Sequence, residues 1–163
     1  MQYEDALVLT LARELDEITV ADRIRQSTDL RVQGRIDADI IERVACYVDA
    51  PSQLLTDRLA ALEHEWSIER VLALQSSATA LTGILLGALG RRRWTLLALV
   101  TSGFLMQHAL QGWSPPLALH RRLGFRTQRE IDLEVHMLKL LRGDYEGLSA
   151  NAVEVTLQEW RVL

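Results

Sequence analysis

Two apolar stretches decide the fold of this chain: VLALQSSATALTGILLGALG at residues 71–90 and WTLLALVTSGFLMQHALQGW at residues 94–113. Each stretch has 20 residues and no Asp, Glu, Lys or Arg, and only Arg91, Arg92 and Arg93 lie between them. A helix of 20 residues is roughly 30 Å long, which matches the hydrocarbon thickness of a bilayer. The sequence therefore predicts an all-α protein with a transmembrane helical hairpin at residues 67–116.

A buried hairpin in a soluble helical bundle is the alternative interpretation, because helices that are apolar on every side also occur in large protein cores. A chain of 163 residues has too little other apolar surface to cover two such helices completely. We therefore prefer the membrane interpretation. A soluble helical scaffold, in which the hairpin forms the core of an oligomer, remains the alternative.

Charge is distributed unevenly along the chain. Residues 1–66 carry 14 acidic and 7 basic side chains, residues 67–126 carry 1 and 7, and residues 127–163 carry 7 and 4. Basic groups at the ends of apolar stretches suit anionic headgroups, whereas nucleic acid would require a continuous basic face. The expected partners are a lipid bilayer and either an unidentified protein or a second copy of the chain, but no nucleic acid.

The N-terminal arm, residues 1–66, is predicted to form short amphipathic helices. The first covers about residues 6–17, and the second follows Thr19 and ends at Gly34. A third helix is predicted to begin at an N-cap on Asp37 and to stop before Pro51. A fourth begins at Pro51 and carries apolar residues at intervals of three to four. Such stripes pack on one another, on the hairpin or on a partner.

The C-terminal region, residues 117–163, is predicted to begin as an interfacial segment after Pro115 and Pro116 end the second apolar helix. Its basic side chains, including Arg121 and Arg122, are expected to extend to lipid phosphates. Thr127 then begins a further helix that ends at Gly143, and a last helix is expected around residues 153–160.

The capping box that begins the helix pairs Thr127 with Glu130. Glu130 and Glu134 share one face of this helix, and we interpret that face as solvated.

Two further sets of residues are predicted from the hairpin. Small residues that allow close helix packing are Thr79, Gly83, Gly87, Ala98 and Ser102. Expected membrane-interface residues are Trp66, Arg91, Arg92, Arg93, Trp94, Trp113, Arg121 and Arg122.

No set of catalytic, metal-binding or cofactor-binding residues is apparent, so we expect a non-enzymatic protein. Gln107, His108 and Gln111 form a candidate polar site, because polar side chains within a membrane helix are costly. Cys46, the only cysteine, is interpreted as a small buried apolar side chain. The alternative function is a membrane-associated enzyme or sulfur carrier that uses Cys46 or His108.

The N-terminus has no basic region before an apolar stretch, so we expect no cleavable signal peptide. Six arginines lie near the outer ends of the hairpin and three lie in its turn. Because cytoplasmic loops carry an excess of Lys and Arg, this distribution favours two spans with both termini in the cytoplasm.

Several short motifs resemble one known family. EWSIER at residues 65–70, QHALQGWSPP at 107–116 and LGFRT at 123–127 are similar to the YgaP-like transmembrane domain, over about residues 65–144. The resemblance implies a bacterial inner-membrane protein of unassigned activity, whose membrane unit occurs alone or beside a cytoplasmic rhodanese (sulfurtransferase) domain. Family members often have Cys-Pro where this chain has Ser114 and Pro115, so no catalytic residue is carried over.

Overall fold

The structure is a computed structural model that describes residues 2–145, with side chains from residue 6, and this part is helical without any strand. The all-α prediction is therefore confirmed for it. The α-helices are α1 (Gln2–Ala21), α2 (Arg23–Gln26), α3 (Leu30–Ala45), α4 (Ser52–Glu63), α5 (Ile68–Ala88), α6 (Thr95–Gln111), α7 (Pro115–Arg122) and α8 (Gln128–Arg142), with a 3-10 turn at Arg92–Trp94. The helix predicted around residues 153–160 lies outside the described residues.

The first helices differ from their predicted bounds. α1 continues to Ala21, four residues past its predicted end, and the single turn α2 follows it. α3 begins at Leu30 because the carboxylate of Asp29 accepts a hydrogen bond from the Arg31 amide, 2.9 Å away. The predicted N-cap at Asp37 was therefore wrong, since this residue lies inside α3.

Gly34 does not end a helix, contrary to the prediction. It lies within α3, and no atom would be within 4 Å of a Cβ added there. An interior glycine costs a helix about 1 kcal/mol relative to alanine. That cost is small beside the burial of Ile36, Ile40 and Val44 on the same helix.

The main core lies where α8 packs against three N-terminal helices. One cluster joins α1, α3 and α8 through Leu11, Leu15, Ile36, Ile40, Val44, Leu133 and Met137. A second cluster joins α4 and α8 through Leu55, Leu59, Leu62, Ile131 and Leu138. We call α1, α3, α4 and α8 the head. Each of its helices covers the apolar stripe of a neighbour, which a short helix needs in order to be stable.

A smaller apolar cluster connects α5 with α2 and α7. It contains Ile24 of α2, Ile68 and Leu72 of α5, and Leu117 of α7. The guanidinium of Arg23 also donates a hydrogen bond to the Leu110 carbonyl, 3.0 Å away, and the Ser27 hydroxyl donates to the Gly112 carbonyl, 3.1 Å away. The end of α6 is therefore fastened to α2, a contact between residues more than 80 positions apart.

The end of α6 is set by Gly112 and not by the prolines that follow it. Gly112 has φ +72° and donates its amide to the His108 carbonyl, 2.7 Å away. Glycine adopts this left-handed conformation without steric cost, and a Cβ there would collide with Arg23. Pro115 and Pro116 instead form the first turn of α7, where a missing amide hydrogen has no consequence.

α5 and α6 pack side by side in opposite directions. Near the turn, Gly83 of α5 lies against Ala98 of α6. At the other end of the pair, Ser76 of α5 and His108 of α6 line the same narrow cavity. At 1.5 Å per residue, the 21 residues of α5 are roughly 31 Å long and the 17 residues of α6 roughly 25 Å.

Candidate membrane interface

Most of the apolar surface of α5 and α6 is exposed. In the part of the chain that the structure describes, one helical stretch, ending at Ala88, is long and apolar enough to cross a membrane. An 18-residue window in it has a mean hydropathy of 1.5, and 11% of that window is buried. The core helix of a soluble protein would be mostly buried. α6 has 17 residues, at the lower end of the usual length for a spanning helix.

The exposed side chains of this pair are large. Those on α5 include Leu74, Leu81, Ile84 and Leu85, and those on α6 include Leu96, Leu99, Val100, Met106 and Leu110. Leu99, for example, has 68% of its surface exposed, although it lies inside α6. Soluble monomers rarely expose contiguous apolar patches larger than a few hundred Å². An exposed apolar surface of this kind is typical of a face that contacts lipid or another protein.

The small residues expected between the two helices lie in different environments. A Cβ on Gly83 would be 2.8 Å from the Trp94 carbonyl oxygen and 2.9 Å from the Ala98 amide nitrogen. A Cβ on Gly87 would collide with the Thr95 side chain. These two glycines therefore set how closely α6 approaches. The remaining members, Thr79 and Ser102, are half-buried and exposed, respectively.

Replacing Gly83 by alanine is expected to destabilise the α5–α6 pair by about 1–3 kcal/mol, because the new Cβ would meet backbone atoms that cannot rotate away. Gly103→Ala is the matched control, since Gly103 also lies inside a helix but has no atom within 4 Å of an added Cβ. It should be neutral or stabilising by up to about 1 kcal/mol. Thermal unfolding in detergent micelles measures both, and equal effects would contradict the close contact.

The expected interface residues occur at both ends of the pair. At the start of α5, Trp66 is 44% exposed, and the Arg70 guanidinium lies 4.7 Å from the centre of its ring. At the end of α6, Trp113 is exposed, and Arg122 of α7 is exposed as well. At the turn, Trp94 is half-buried, and the three arginines at positions 91, 92 and 93 are exposed.

Arg121 does not extend to a membrane surface, so that prediction was wrong. Its side chain is 2% exposed and donates two hydrogen bonds of 2.8 Å to Glu130. It also donates to the Gln33 side chain at 2.6 Å and to the Phe125 carbonyl at 3.1 Å. α7 therefore turns this arginine inward, toward α8 and α3. Arg122, the next residue, points to the other side and is the exposed member of the pair.

Glu130 is the centre of a buried charge cluster, and the prediction of a solvated face was wrong. Its carboxylate receives both hydrogen bonds of Arg121, one of 2.5 Å from Arg25, and one of 2.8 Å from the Thr127 amide. The last of these confirms the predicted capping box. Arg25 also pairs with Asp37 through contacts of 2.9 and 3.1 Å. Two arginines therefore face two carboxylates, and the cluster joins α2, α3, α7 and α8.

Glu134 forms a second buried cluster one turn further along α8. Arg58 of α4 donates to it at 2.7 and 2.9 Å, and Arg126 donates to it as well. Arg126 also makes two hydrogen bonds, of 2.7 and 2.5 Å, to Glu65. Burial opposes the charged form of Arg126, but the hydrogen bonds and negative charges of Glu65 and Glu134 outweigh it and raise the pKa of Arg126. The two clusters hold the head to the segments that flank α5 and α6.

The Glu130 cluster predicts how the head responds to acid. Burial alone would raise the pKa of Glu130, but Arg121, the Thr127 amide and Arg25 together lower it below its ordinary value. A carboxylate whose pKa is depressed on folding contributes stability above its unfolded pKa, about 4.3, and loses it as the pH falls through the folded value. We expect the midpoint temperature of unfolding to decrease as the pH is lowered below about 4.3. This decrease should be less steep in Glu130→Gln. If circular dichroism melts gave the same pH dependence of the midpoint temperature in the parent and in Glu130→Gln, this role of Glu130 would be contradicted.

The candidate polar site is only partly assembled. His108 is half-buried, and its Nδ1 atom has no hydrogen-bond partner among the residues that the structure describes. It lines a narrow cavity with Ser76 and Ser114, but no carboxylate lines that cavity. Gln107 is half-buried, and Gln111 lies beside Arg23 on the exposed side of the junction. The structure therefore gives His108 no group that would activate it for acid–base chemistry.

Cys46 is exposed, so its interpretation as a buried apolar side chain was wrong. It is the C-cap residue of α3, beyond the last buried apolar side chain of that helix, Val44. Within residues 6–145, no group of three or more His, Cys, Asp or Glu side chains could hold a metal ion.

Comparisons of the chain with protein-family models, with curated proteins and with solved structures find no match.

Proposed function

We propose that this chain is a small integral membrane protein in which α5 and α6 cross the bilayer as a hairpin and the head lies at the open end of that hairpin. The observation that carries the proposal is the exposed apolar surface of the two helices. At about 25 cal/mol per Å² of apolar surface removed from water, lipid contact along both helices is strongly favourable. The same surface in water would promote aggregation.

The positions of the charged residues support the same arrangement. Between Glu69 and Glu130 the chain has no acidic residue, and its basic residues there lie at positions 70, 91–93, 121, 122, 126 and 129. The turn and the open end are separated by the length of α5, roughly 31 Å. Arginines at these two levels suit the two headgroup layers of a bilayer, while the apolar side chains between them suit its interior.

In this proposal the protein is not an enzyme but an anchor that presents the head to a protein partner or to a second copy of the chain. Among the described side chains of the head helices, seven acidic and four basic residues are exposed. The imbalance comes from the composition of these helices, because four acidic and four basic side chains in their described part are half-buried or buried, which leaves the difference unchanged. A basic surface on the partner would complement this head.

The resemblance to the YgaP-like transmembrane domain suggests the bacterial inner membrane as the location, with both termini in the cytoplasm.

Lipid contact on α5 and α6 distinguishes this proposal from its alternative, a soluble oligomer. In that alternative, copies of the same apolar surface would cover one another, and the protein would be monodisperse without detergent.

Extraction and labelling of membranes test the proposal together. The protein should stay in the membrane pellet after an alkaline carbonate wash, since integral proteins resist that treatment. The single exposed cysteine, Cys46, reports the side on which the head lies when an impermeant maleimide is applied to vesicles of known orientation. A Cys46→Ser variant that carries Arg91→Cys reports the turn and is the matched control.

We expect Cys46 to react from the cytoplasmic side and a cysteine at position 91 to react from the opposite side. Release of the protein into the carbonate supernatant would contradict the membrane proposal. Reaction of both positions from the same side would contradict the two spans, although one face of the protein could still be attached to the membrane.

A further inference from the structure

We infer that the turn between α5 and α6 binds an anionic phospholipid, with its phosphate on Arg93 and an acyl chain in an apolar groove on α6. The inference rests on the proposed function, because it requires the turn to lie in a headgroup layer. It adds a ligand of stated chemistry and a residue that selects it.

The groove lies along one side of α6 and begins at the turn. Its lining residues are Arg93, Trp94, Leu96, Leu97 and Val100. Leu96 and Val100 are four residues apart, so they lie one above the other on the same helix face, and both are more than half exposed. Arg93 is therefore the polar end of a groove whose other walls are apolar. The groove extends from the turn toward the middle of the hairpin, as a lipid chain below its headgroup does.

The positive charges at the turn are not paired with any acidic side chain among the described residues. The side chains of Arg91, Arg92 and Arg93 are exposed, and within residues 6–145 none of them makes a hydrogen bond or ion pair. No acidic residue occurs in the 60 positions between Glu69 and Glu130. Three positive charges beside an apolar groove are complementary to a ligand that combines a phosphate with a hydrocarbon chain.

The local backbone distinguishes the three arginines. Arg92 and Arg93 belong to a 3-10 turn, in which successive side chains point about 120° apart. Arg92 and Arg93 therefore point to different sides of the turn. Arg93 lines the groove, whereas Arg91 and Arg92 do not. We therefore assign the phosphate contact to Arg93, and Arg91 and Arg92 contribute only to the surrounding positive potential.

Fluorescence quenching by brominated lipids tests this site directly, because Trp94 lines the groove. A background with Trp66→Phe, Trp113→Phe and Trp160→Phe leaves Trp94 as the only tryptophan, whose fluorescence can be excited without that of the tyrosines. The protein is reconstituted in phosphatidylcholine that contains increasing amounts of brominated phosphatidylglycerol or brominated phosphatidylcholine. We expect the anionic lipid to bind with about fivefold preference, the effect of one arginine at a membrane surface.

The matched variants are Arg93→Gln and Arg91→Gln, which remove the same charge from neighbouring positions. We expect Arg93→Gln to abolish the preference and Arg91→Gln to keep most of it. Equal quenching by both lipids in the parent, or equal losses in both variants, would overturn the site while leaving the membrane hairpin intact. An absence of quenching by either lipid would overturn the proposed function and, with it, this inference.

Discussion

Glu130→Gln is expected to lower the free energy of unfolding by about 3–5 kcal/mol, the usual effect of breaking a buried ion pair. Glutamine has nearly the same shape as glutamate but carries no charge. Arg25 and Arg121, whose side chains are 1% and 2% exposed, would then keep only the charge of Asp37 as compensation. An unpaired charge in the interior is far more costly than a lost surface contact.

The matched control is Asp132→Asn on the same helix. Asp132 is exposed, and its carboxylate accepts one hydrogen bond from the Gln128 side chain. Its replacement should change stability by no more than about 0.5 kcal/mol. Urea unfolding in detergent micelles, followed by circular dichroism, measures both variants. If Glu130→Gln were as mild as Asp132→Asn, the charge cluster would not hold the head together.

Leu99→Arg is expected to reduce membrane insertion by up to about 2.5–3.5 kcal/mol, the penalty for arginine at the centre of a spanning helix, which is about one turn from position 99. Leu99 is the informative position because it is 68% exposed and lies inside α6, about one turn from the centre of the helix. On the surface of a soluble protein, the same replacement would change stability by no more than about 0.5 kcal/mol. The two interpretations of the exposed surface therefore give clearly different outcomes for one substitution.

Leu54→Arg is the control for this substitution, because Leu54 is exposed to a similar degree but lies on α4 of the head. The inserted fraction can be measured as protease-protected hairpin after translation in the presence of membranes. We expect a large loss for Leu99→Arg and none for Leu54→Arg. Equal insertion of the two variants would contradict lipid contact at α6.

Elements with local signals could be predicted from the sequence. α4 begins at Ser52 directly after Pro51, and α8 begins at the Thr127 capping box and ends at Gly143, as predicted. α5 and α6 occupy the two apolar stretches. In each case the signal lies within a few residues of the helix end, or it is the composition of the helix itself.

The buried charge clusters could not be predicted in the same way. Glu130 and Glu134 are four residues apart and continue the stripe that reaches Leu138, so their burial has a weak signal in the spacing. Their partners Arg25 and Arg58 lie more than 70 positions away, however. A carboxylate is normally exposed unless it is paired, and the pairing is known only once the helices are in contact.

The sequence alone also does not distinguish a glycine that ends a helix from one that lies inside a helix. Gly34 and Gly112 are both single glycines between helical segments, yet only Gly112 has a positive φ. The difference lies in their positions, because Gly112 is the C-cap residue of α6 whereas Gly34 lies inside α3. Cys46 was misplaced because it follows Asp39 by seven residues and Glu42 by four, and therefore lies on the exposed side of α3.

The most direct measurement of the central claim is the environment of a nitroxide attached at position 99. In a Cys46→Ser background, Leu99→Cys is labelled and the protein is reconstituted in liposomes, with Asp39→Cys on α3 as the exposed control in the head. Because oxygen concentrates in the bilayer interior and a nickel chelate stays in water, relaxation by the two reagents distinguishes lipid from solvent. We predict that oxygen dominates at position 99 and the nickel chelate at position 39. Dominance of the nickel chelate at both positions would contradict the account.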